Sequence, residues 1–135
     1  MPATRLLTPV VRGLLALQAL LVLTGGAVRV TGSGLGCPTW PECTTDSYTP
    51  MAGQAEGTYH SWIEFGNRLL TFLLFFTAIA MVLLVIRSGR KDLRFLAFSQ
   101  IAGIFGQAIL GGITVLTHLN PFSVASHFIL SIILI

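Results

Sequence analysis

Four apolar runs separated by short polar segments set the pattern of the chain. They cover about 10–30, 62–86, 95–116 and 122–135. At about 1.5 Å per residue, each of the first three is long enough as a helix to cross a hydrocarbon core of about 30 Å. The fourth would reach only about 21 Å. The pattern predicts an all-α integral membrane protein, a bundle of four transmembrane helices of which the fourth is truncated.

The end of the fourth run changes how the chain is interpreted. It closes on SIILI, without the polar flank or basic anchor that usually borders a membrane span. We interpret residues 1–135 as a fragment of a longer protein that stops inside a helix. The alternative is an unusually short native helix.

Composition supports the membrane assignment and argues against nucleic-acid binding. The chain is 53% hydrophobic and 10% charged, whereas soluble domains carry about 25% charged residues. Its pI of about 9.4 comes from positive charges at helix ends and in one short loop, which membrane topology explains. No small-residue cleavage site follows the first run, so this run is predicted to stay as an anchor.

The distribution of positive charge predicts the orientation. Residues 87–94, RSGRKDLR, are basic, and Arg5 and Arg12 lie in the tail 1–9 and at the start of the first run. The loop 31–61 has no Lys or Arg. Its acidic residues are Glu42, Asp46 and Glu56. Because basic loops stay inside, the N-terminus and residues 87–94 are expected in the cytoplasm, and the loop 31–61 is expected outside the cell membrane.

An internal repeat relates the first and third helices. The pairs Gly25–Gly26 and Gly111–Gly112 are each followed, five residues after the second glycine, by Thr31 or Thr117. Two helical hairpins related in this way form a bundle with an interior between them. The glycine pairs are expected to let helices approach closely, with direct ligand contact as the alternative.

The stretch 25–43, GGAVRVTGSGLGCPTWPEC, shapes the start of the outer loop. Its glycines permit turns, and two prolines stiffen the turn that carries Trp40. Cys37 and Cys43 lie where disulfides persist. A structural disulfide and a redox-active pair that exchanges with a partner both suit this spacing. So long a shaped segment indicates that something is held at this end of the bundle.

Polar residues share one face at the outer end of the second helix. His60, Glu64 and Asn67 stand at i, i+4 and i+7, with Arg68 beside them. An ionisable residue this close to the hydrocarbon suggests a functional site. The alternative is a Glu64–Arg68 pair that only anchors the helix at the headgroups.

Two further histidines lie near the outer end of the second hairpin. His127 stands near the start of the fourth helix, at a depth similar to that of Glu64, with no compensating charge nearby. It is either a hydrogen-bonded core residue or an axial ligand, since neutral imidazole commonly binds haem iron. His118, in the turn 117–121, is expected to face solvent.

Three motifs resemble the haem A synthase family, in its bacterial form and its mitochondrial relatives. They are GGAVRVTGSGLGCPTWPEC at 25–43, EFGNRLLTF at 64–72 and GGITVLTHLNPFSVASH at 111–127. The resemblance implies eight transmembrane helices in two four-helix halves. Residues 1–135 would form the amino-terminal, haem-binding half, without the carboxy-terminal half.

The resemblance also implies a reaction and its residues. The family oxidises a methyl group of haem O to the formyl group of haem A by successive hydroxylations, for terminal oxidase assembly. The amino-terminal half would hold the substrate haem and the absent half a haem b. Glu64 matches the essential glutamate of the family, and His127 matches the haem-ligand histidine of helix 4. Cys37 and Cys43 match the cysteine pair of the family's outer loop.

The second helix departs from the family pattern Glu-x-x-His-Arg, because Asn67 stands at the fourth position. Asparagine is a poor haem ligand, so His60, on the same face of the helix, becomes the candidate ligand. The alternative role for His60 is that of a polar residue at the haem edge. Arg29 and Arg68 are expected to pair with the haem propionates, since arginine binds carboxylates in bidentate fashion.

Two other functions compete with the synthase. One is a non-enzymatic electron-transfer protein whose b-type haem is held by His60 and His127. The other is a membrane thiol–disulfide relay at Cys37 and Cys43. The long motif match favours the synthase. Its expected partners are haem O, haem A, the lipid bilayer, haem O synthase, oxidase assembly factors and a second copy of the chain. Residues 1–135 alone are predicted to be inactive.

Overall fold

The computed structural model describes residues 2–55 and 57–135 as four helices in sequence. They are α1 (Pro2–Val30), α2 (Thr58–Arg87), α3 (Arg94–Leu116) and α4 (Pro121–Leu134), and a 3-10 turn, Lys91–Leu93, precedes α3. This confirms the predicted all-α bundle. Glu56, one of the acidic residues of the outer loop, lies outside the described residues.

The described part of the chain contains three helices long and apolar enough to cross a membrane. They are Ala3–Val30, Thr58–Arg87 and Lys91–Leu116. Helix α4 is apolar but has only 14 residues, as the sequence indicated. The protein is therefore an integral membrane protein.

The first helix begins earlier than predicted. Residues 2–9 were expected as a tail, but α1 starts at Pro2. The additional turns bring Leu7 into the apolar core, on the same face as Leu14. Pro9 lies within these turns and, lacking an N–H, gives up only the hydrogen bond to the Arg5 carbonyl.

The second helix also begins earlier than predicted, at Thr58 rather than at 62. Gly57 precedes it with φ of 85°, a left-handed value that glycine adopts readily. The Ser61 hydroxyl donates a hydrogen bond to the Gly57 carbonyl over 3.1 Å. His60 therefore belongs to the first turn of α2, and the outer loop is residues 31–57, called the cap below.

The apolar core occupies the half of the bundle that lies toward the basic loop. Helix α1 packs mainly on α2 and α3 on α4, while α2 joins the two hairpins through α3. The buried core residues are Leu7, Leu14, Leu74, Ala78, Met81, Val82, Val85, Ala97 and Ile104. The buried polar residues Ser33, Ser61 and Glu64 lie instead in the cap half of the bundle.

The turn between α3 and α4 brings the second hairpin to the cap. The Asn120 side chain accepts a hydrogen bond from the Phe122 N–H at 3.0 Å, and Pro121 opens α4, a favourable start for a helix. Leu119 adopts a left-handed φ of 60°. Its side chain lies against Gly34 of the cap, 3.1 Å from where a Cβ would stand.

The repeat that the sequence suggested has a local structural counterpart. The Thr31 hydroxyl donates to the Ala27 carbonyl over 2.9 Å, and the Thr117 hydroxyl donates to the Ile113 carbonyl over 2.7 Å. The same bond thus closes the last turn of α1 and of α3. The glycine pairs differ, however, since no described residue of another element lies within 4 Å of the Cβ positions of Gly25–Gly26. The expectation of close helix approach is therefore wrong for that pair.

Candidate functional site

A buried disulfide closes the cap. Cys37 and Cys43 are joined, and both are at most 1% exposed. The Gln54 amide donates to the Gly36 carbonyl over 3.0 Å and so ties the far end of the cap to this ring. Thiol–disulfide exchange requires a thiolate to reach a sulfur atom, so burial of both sulfurs favours the structural interpretation over the redox-active one.

Gly36 seats the cap directly on the first turn of α2. A Cβ at this position would lie 2.5 Å from the His60 carbonyl oxygen and 2.7 Å from the Ser61 nitrogen. Both are backbone atoms that cannot move aside without disturbing the helix. Only glycine allows the two segments to approach so closely.

Glu64 is buried beneath the cap and bonded to it. Glu64 is only 6% exposed. Oε2 accepts a hydrogen bond from the Cys37 N–H at 2.8 Å, and Oε1 accepts one from Arg68 Nη2 at 2.6 Å. The carboxylate is therefore compensated both by a guanidinium and by the backbone of the disulfide ring, as a buried charge requires.

Arg68 donates hydrogen bonds to the backbone carbonyl groups of the same ring. Nη2 donates to the carbonyls of Cys37 and Thr39 at 2.8 and 3.1 Å, and Nη1 donates to that of Glu42 at 3.0 Å and more weakly to that of Pro41. The Glu64–Arg68 ion pair is thus directed into the cap. This corrects the alternative in which the pair only anchors the helix at the headgroups.

His60 and Asn67 make different contacts, although they share a face of α2. His60 Nδ1 lies 2.8 Å from the hydroxyl of the fully buried Ser33, and that hydroxyl is 2.7 Å from the hydroxyl of Thr31. Asn67 Oδ1 accepts a hydrogen bond from the Thr24 hydroxyl of α1 at 2.7 Å. His60 Nε2 makes no hydrogen bond within residues 2–55 and 57–135, whereas the oxygen of Asn67 is already engaged.

His127 lies on α4 against the glycine pair of α3. Its ring is 3.4 Å from the position that a Cβ on Gly111 would take. Its Nδ1 is buried and has no hydrogen-bond partner among the described residues. The neighbouring Gln107, which the sequence analysis did not single out, donates from Nε2 to the His127 carbonyl over 3.1 Å. A polar residue one turn before Gly111 was the signal that could have identified it.

The cap links these groups across the two hairpins. The Trp40 ring lies on Gly112 of α3, with Cδ2 2.8 Å from the position of a Cβ there. The adjacent Gly111 contacts His127, and Arg68 binds the other side of the cap. The structure thus joins Glu64 and Arg68 directly and connects them to His127 through the cap. In the described part of the chain no hydrogen bond joins His60 to His127.

The remaining predicted residues lie at the same end of the molecule. Arg29 is exposed in the last turn of α1 and forms no ion pair with a described residue. His118 is exposed, as predicted.

Haem, the ligand that the sequence predicted, is compatible with this end of the bundle. Nε2 of His60 and Nε2 of His127 make no hydrogen bond to the described residues, and Nδ1 of His127 is buried without a partner among them. No described atom lies within 4 Å of the Cβ positions of Gly25–Gly26, which leaves space beside α1. A buried polar atom without a partner is uncommon and calls for a ligand or water to satisfy it.

Comparison with known proteins decides the family. Residues 10–135 match the model of the COX15-CtaA family, described as cytochrome oxidase assembly protein. The chain belongs to this family. It is similar to proteins named heme A synthase: 33% identical over 114 residues to that of Lysinibacillus sphaericus, 34% over 118 residues to that of Macrococcus caseolyticus, and 25% over 117 residues to that of Geobacillus kaustophilus.

These matches cover most of this chain but a minor part of its relatives. They include 82%, 84% and 85% of the chain, but only 36%, 38% and 35% of the respective relatives. The chain thus spans little more than a third of the length of the family members it matches. No solved structure matches it.

Proposed function

We propose that this chain is the amino-terminal, substrate-binding half of a haem A synthase, which oxidises a methyl group of haem O to the formyl group of haem A. The proposal depends on the position of Glu64 above all. This carboxylate stands in the family motif, is buried under the cap, and is held by the Cys37 N–H and Arg68. Such a fixed, desolvated carboxylate is suited to stabilising positive charge or moving protons during an oxidation.

His127 and His60 are the proposed ligands of the substrate iron. Nε2 of each ring makes no hydrogen bond to the described residues, and each histidine lies at the cap end of its hairpin. Ser33 fixes the other nitrogen of His60, as outer-sphere groups commonly do for ligand histidines. Asn67 is proposed to join α1 to α2 through Thr24 rather than to bind iron.

The two arginines are proposed to have different roles. Both terminal nitrogens of Arg68 are occupied by cap carbonyls and Glu64, so this side chain holds the cap. Arg29 is exposed at the same end with no ion pair in the described part of the chain, and it is the better candidate to pair with a haem propionate.

The membrane orientation follows from charge. The basic residues between α2 and α3 are proposed to lie in the cytoplasm with the N-terminus, which places the cap and its disulfide outside the cell membrane. Haem O synthase, oxidase assembly factors and a second copy of the chain remain the proposed protein partners. Residues 1–135 without the second half and its haem b are proposed to be inactive.

The test is conversion of haem O by the complete gene product. It would be expressed beside a source of haem O, and membrane haems would be extracted and identified by chromatography and mass spectrometry. We expect a formyl haem that disappears with Glu64→Gln and with His127→Ala. Expression of residues 1–135 alone is expected to give none, and turnover by this piece would refute the proposed need for the second half.

An electron-transfer protein is the rival that the departure at Asn67 favours. It predicts that the complete protein binds haem and returns it unmodified. In that case the variant Asn67→His, which restores the family pattern, tests whether the asparagine accounts for the lost conversion.

A further inference from the structure

Gln107 is a polar residue of α3 that contacts the turn of α4 carrying His127. Its side chain is half-buried and reaches α4, where Nε2 donates to the His127 carbonyl at 3.1 Å and lies 2.7 Å from the Ser131 hydroxyl. Ser131 in turn donates to the same His127 carbonyl over 3.0 Å. Three polar groups therefore converge on the turn of α4 that carries His127.

These contacts fix the orientation of the Gln107 amide. The His127 carbonyl can only accept a hydrogen bond, so it must face the NH₂ group of the amide rather than its oxygen. Both amide hydrogens are then used, by His127 O and by Ser131 Oγ. The oxygen Oε1 points away from them, and it is buried without a partner in the described residues.

A second buried atom in the same place needs a complementary group. His127 Nδ1 and Gln107 Oε1 are the buried side-chain atoms without a hydrogen-bond partner among the described residues. The His127 ring lies over Gly111, one helical turn after Gln107 and on the same face of α3. Gln107 Oε1 can only accept a hydrogen bond, whereas His127 Nδ1 donates one when it carries a proton.

We propose that Gln107 is a positioning residue for His127, whose Nδ1–H donates to Gln107 Oε1 through one water molecule, since the two atoms form no direct bond. This places the ring proton on Nδ1 and leaves the lone pair of Nε2 available to a ligand. Ligand histidines are typically oriented by a hydrogen bond from their second nitrogen, which also sets how strongly they donate to the metal. The inference rests on the proposed function insofar as the iron ligand is His127.

The amide would also tune the bound haem. Removing the acceptor weakens electron donation by the imidazole, which favours the ferrous state. Gln107→Leu is therefore expected to raise the reduction potential of the haem in the complete protein. Gln107→Glu, which offers a stronger acceptor, is expected to lower it. Ser131→Ala is the matched control, because it removes a tie between α3 and α4 but keeps the Gln107 oxygen.

The experiment is a spectroelectrochemical titration of the complete, haem-loaded protein and these three variants. Shifts of opposite sign for Gln107→Leu and Gln107→Glu, with Ser131→Ala unchanged, support the proposal. If Gln107 only holds α3 and α4 together, its variants should bind less haem, but the reduction potential of the bound haem should be the same in all variants. That result overturns the proposal.

A second readout separates this proposal from the function. In the haem-free protein labelled with ¹⁵N-histidine, the ring shifts of His127 report which nitrogen carries the proton, with His127→Ala for assignment. We expect the Nδ1–H form, and its loss in Gln107→Leu. If the wild-type protein binds no haem but shows this form, the proposed function fails and the positioning role stands. The Nε2–H form in the wild-type protein contradicts the positioning role.

Discussion

The N–H of Cys37 donates a hydrogen bond to Glu64 Oε2 over 2.8 Å. The bond joins the first residue of the disulfide ring to the one carboxylate of α2, 27 residues later in the chain. Arg68 completes the arrangement by binding both the carboxylate and the ring carbonyls. The cap is therefore part of the candidate site, because it fixes the position of Glu64, the proposed catalytic carboxylate.

Replacing Glu64 by glutamine is expected to abolish conversion and to preserve the cap. The amide oxygen can still accept from Cys37 N–H, but the negative charge is lost. A loss of haem A formation of about 100-fold or more is expected from removing an acid–base group. The measurement is haem A formed per haem bound. Asp46→Asn, an exposed carboxylate in the cap, serves as the control and should convert normally. If both variants convert haem O equally well, Glu64 takes no part in the reaction.

Arg68→Lys is expected to loosen the cap. A lysine keeps the charge but cannot span the carbonyls that both terminal nitrogens of the guanidinium reach. Losing hydrogen bonds to a charged group should cost about 1.5–3 kcal/mol. Limited proteolysis in the cap and thermal unfolding in detergent measure this. Arg94→Lys, which is exposed at the other end of the bundle, should be neutral. If Arg68→Lys instead leaves the cap protected but weakens haem binding, the propionate role is the correct one.

Gly36→Ala is expected to displace the cap from α2. The added Cβ would meet the backbone of His60 and Ser61 at less than 3 Å, and overpacking of this kind typically costs about 1–3 kcal/mol. The melting temperature should fall, and protease sensitivity of the cap should rise. Gly13→Ala adds the same methyl group in α1 where nothing lies within 4 Å. A similar melting temperature for the two variants would mean that the cap is not seated on α2 as described.

The double variant Cys37→Ser, Cys43→Ser separates a structural disulfide from a relay. Opening a ring of this size should cost about 2–3 kcal/mol in the chain-entropy model. We expect a lower melting temperature with conversion retained below that temperature. In the native wild-type protein, maleimide labelling should detect no free thiol, and a mild reductant should release little because both sulfurs are buried. Loss of conversion without any loss of stability would favour the relay.

Variants of α2 distinguish His60 from Asn67 as the ligand of the substrate haem. Asn67→Ala and Thr24→Val each remove the same bond between α1 and α2, so both should lose about 1 kcal/mol of stability and leave the haem spectrum unchanged. His60→Ala should alter the Soret and EPR signals that report axial ligation. A spectral change in Asn67→Ala that is absent from Thr24→Val would assign the iron to the asparagine.

Local sequence alone was enough to predict the helices and their membrane character. Spans of apolar residues and the positions of charges are local properties, and they predicted three full spans and a truncated fourth. The starts of α1 and α2 were predicted too late, because whether residues 2–9 and 58–61 continue a helix depends on what they pack against. Leu7 packs in the apolar core, and the Ser61 hydroxyl donates a hydrogen bond to the Gly57 carbonyl.

The sequence by itself also indicated the candidate site residues, through the polar face of α2, the cysteine pair and His127. Only the tertiary structure decided what each of them touches. The i, i+4 spacing of Glu64 and Arg68 predicted a pair, but not that both bind the disulfide ring, because hydrogen bonds across 27 residues depend on how the cap folds back. Likewise, the contact of Trp40 with Gly112 and that of Gln107 with α4 exist only once the two hairpins have packed.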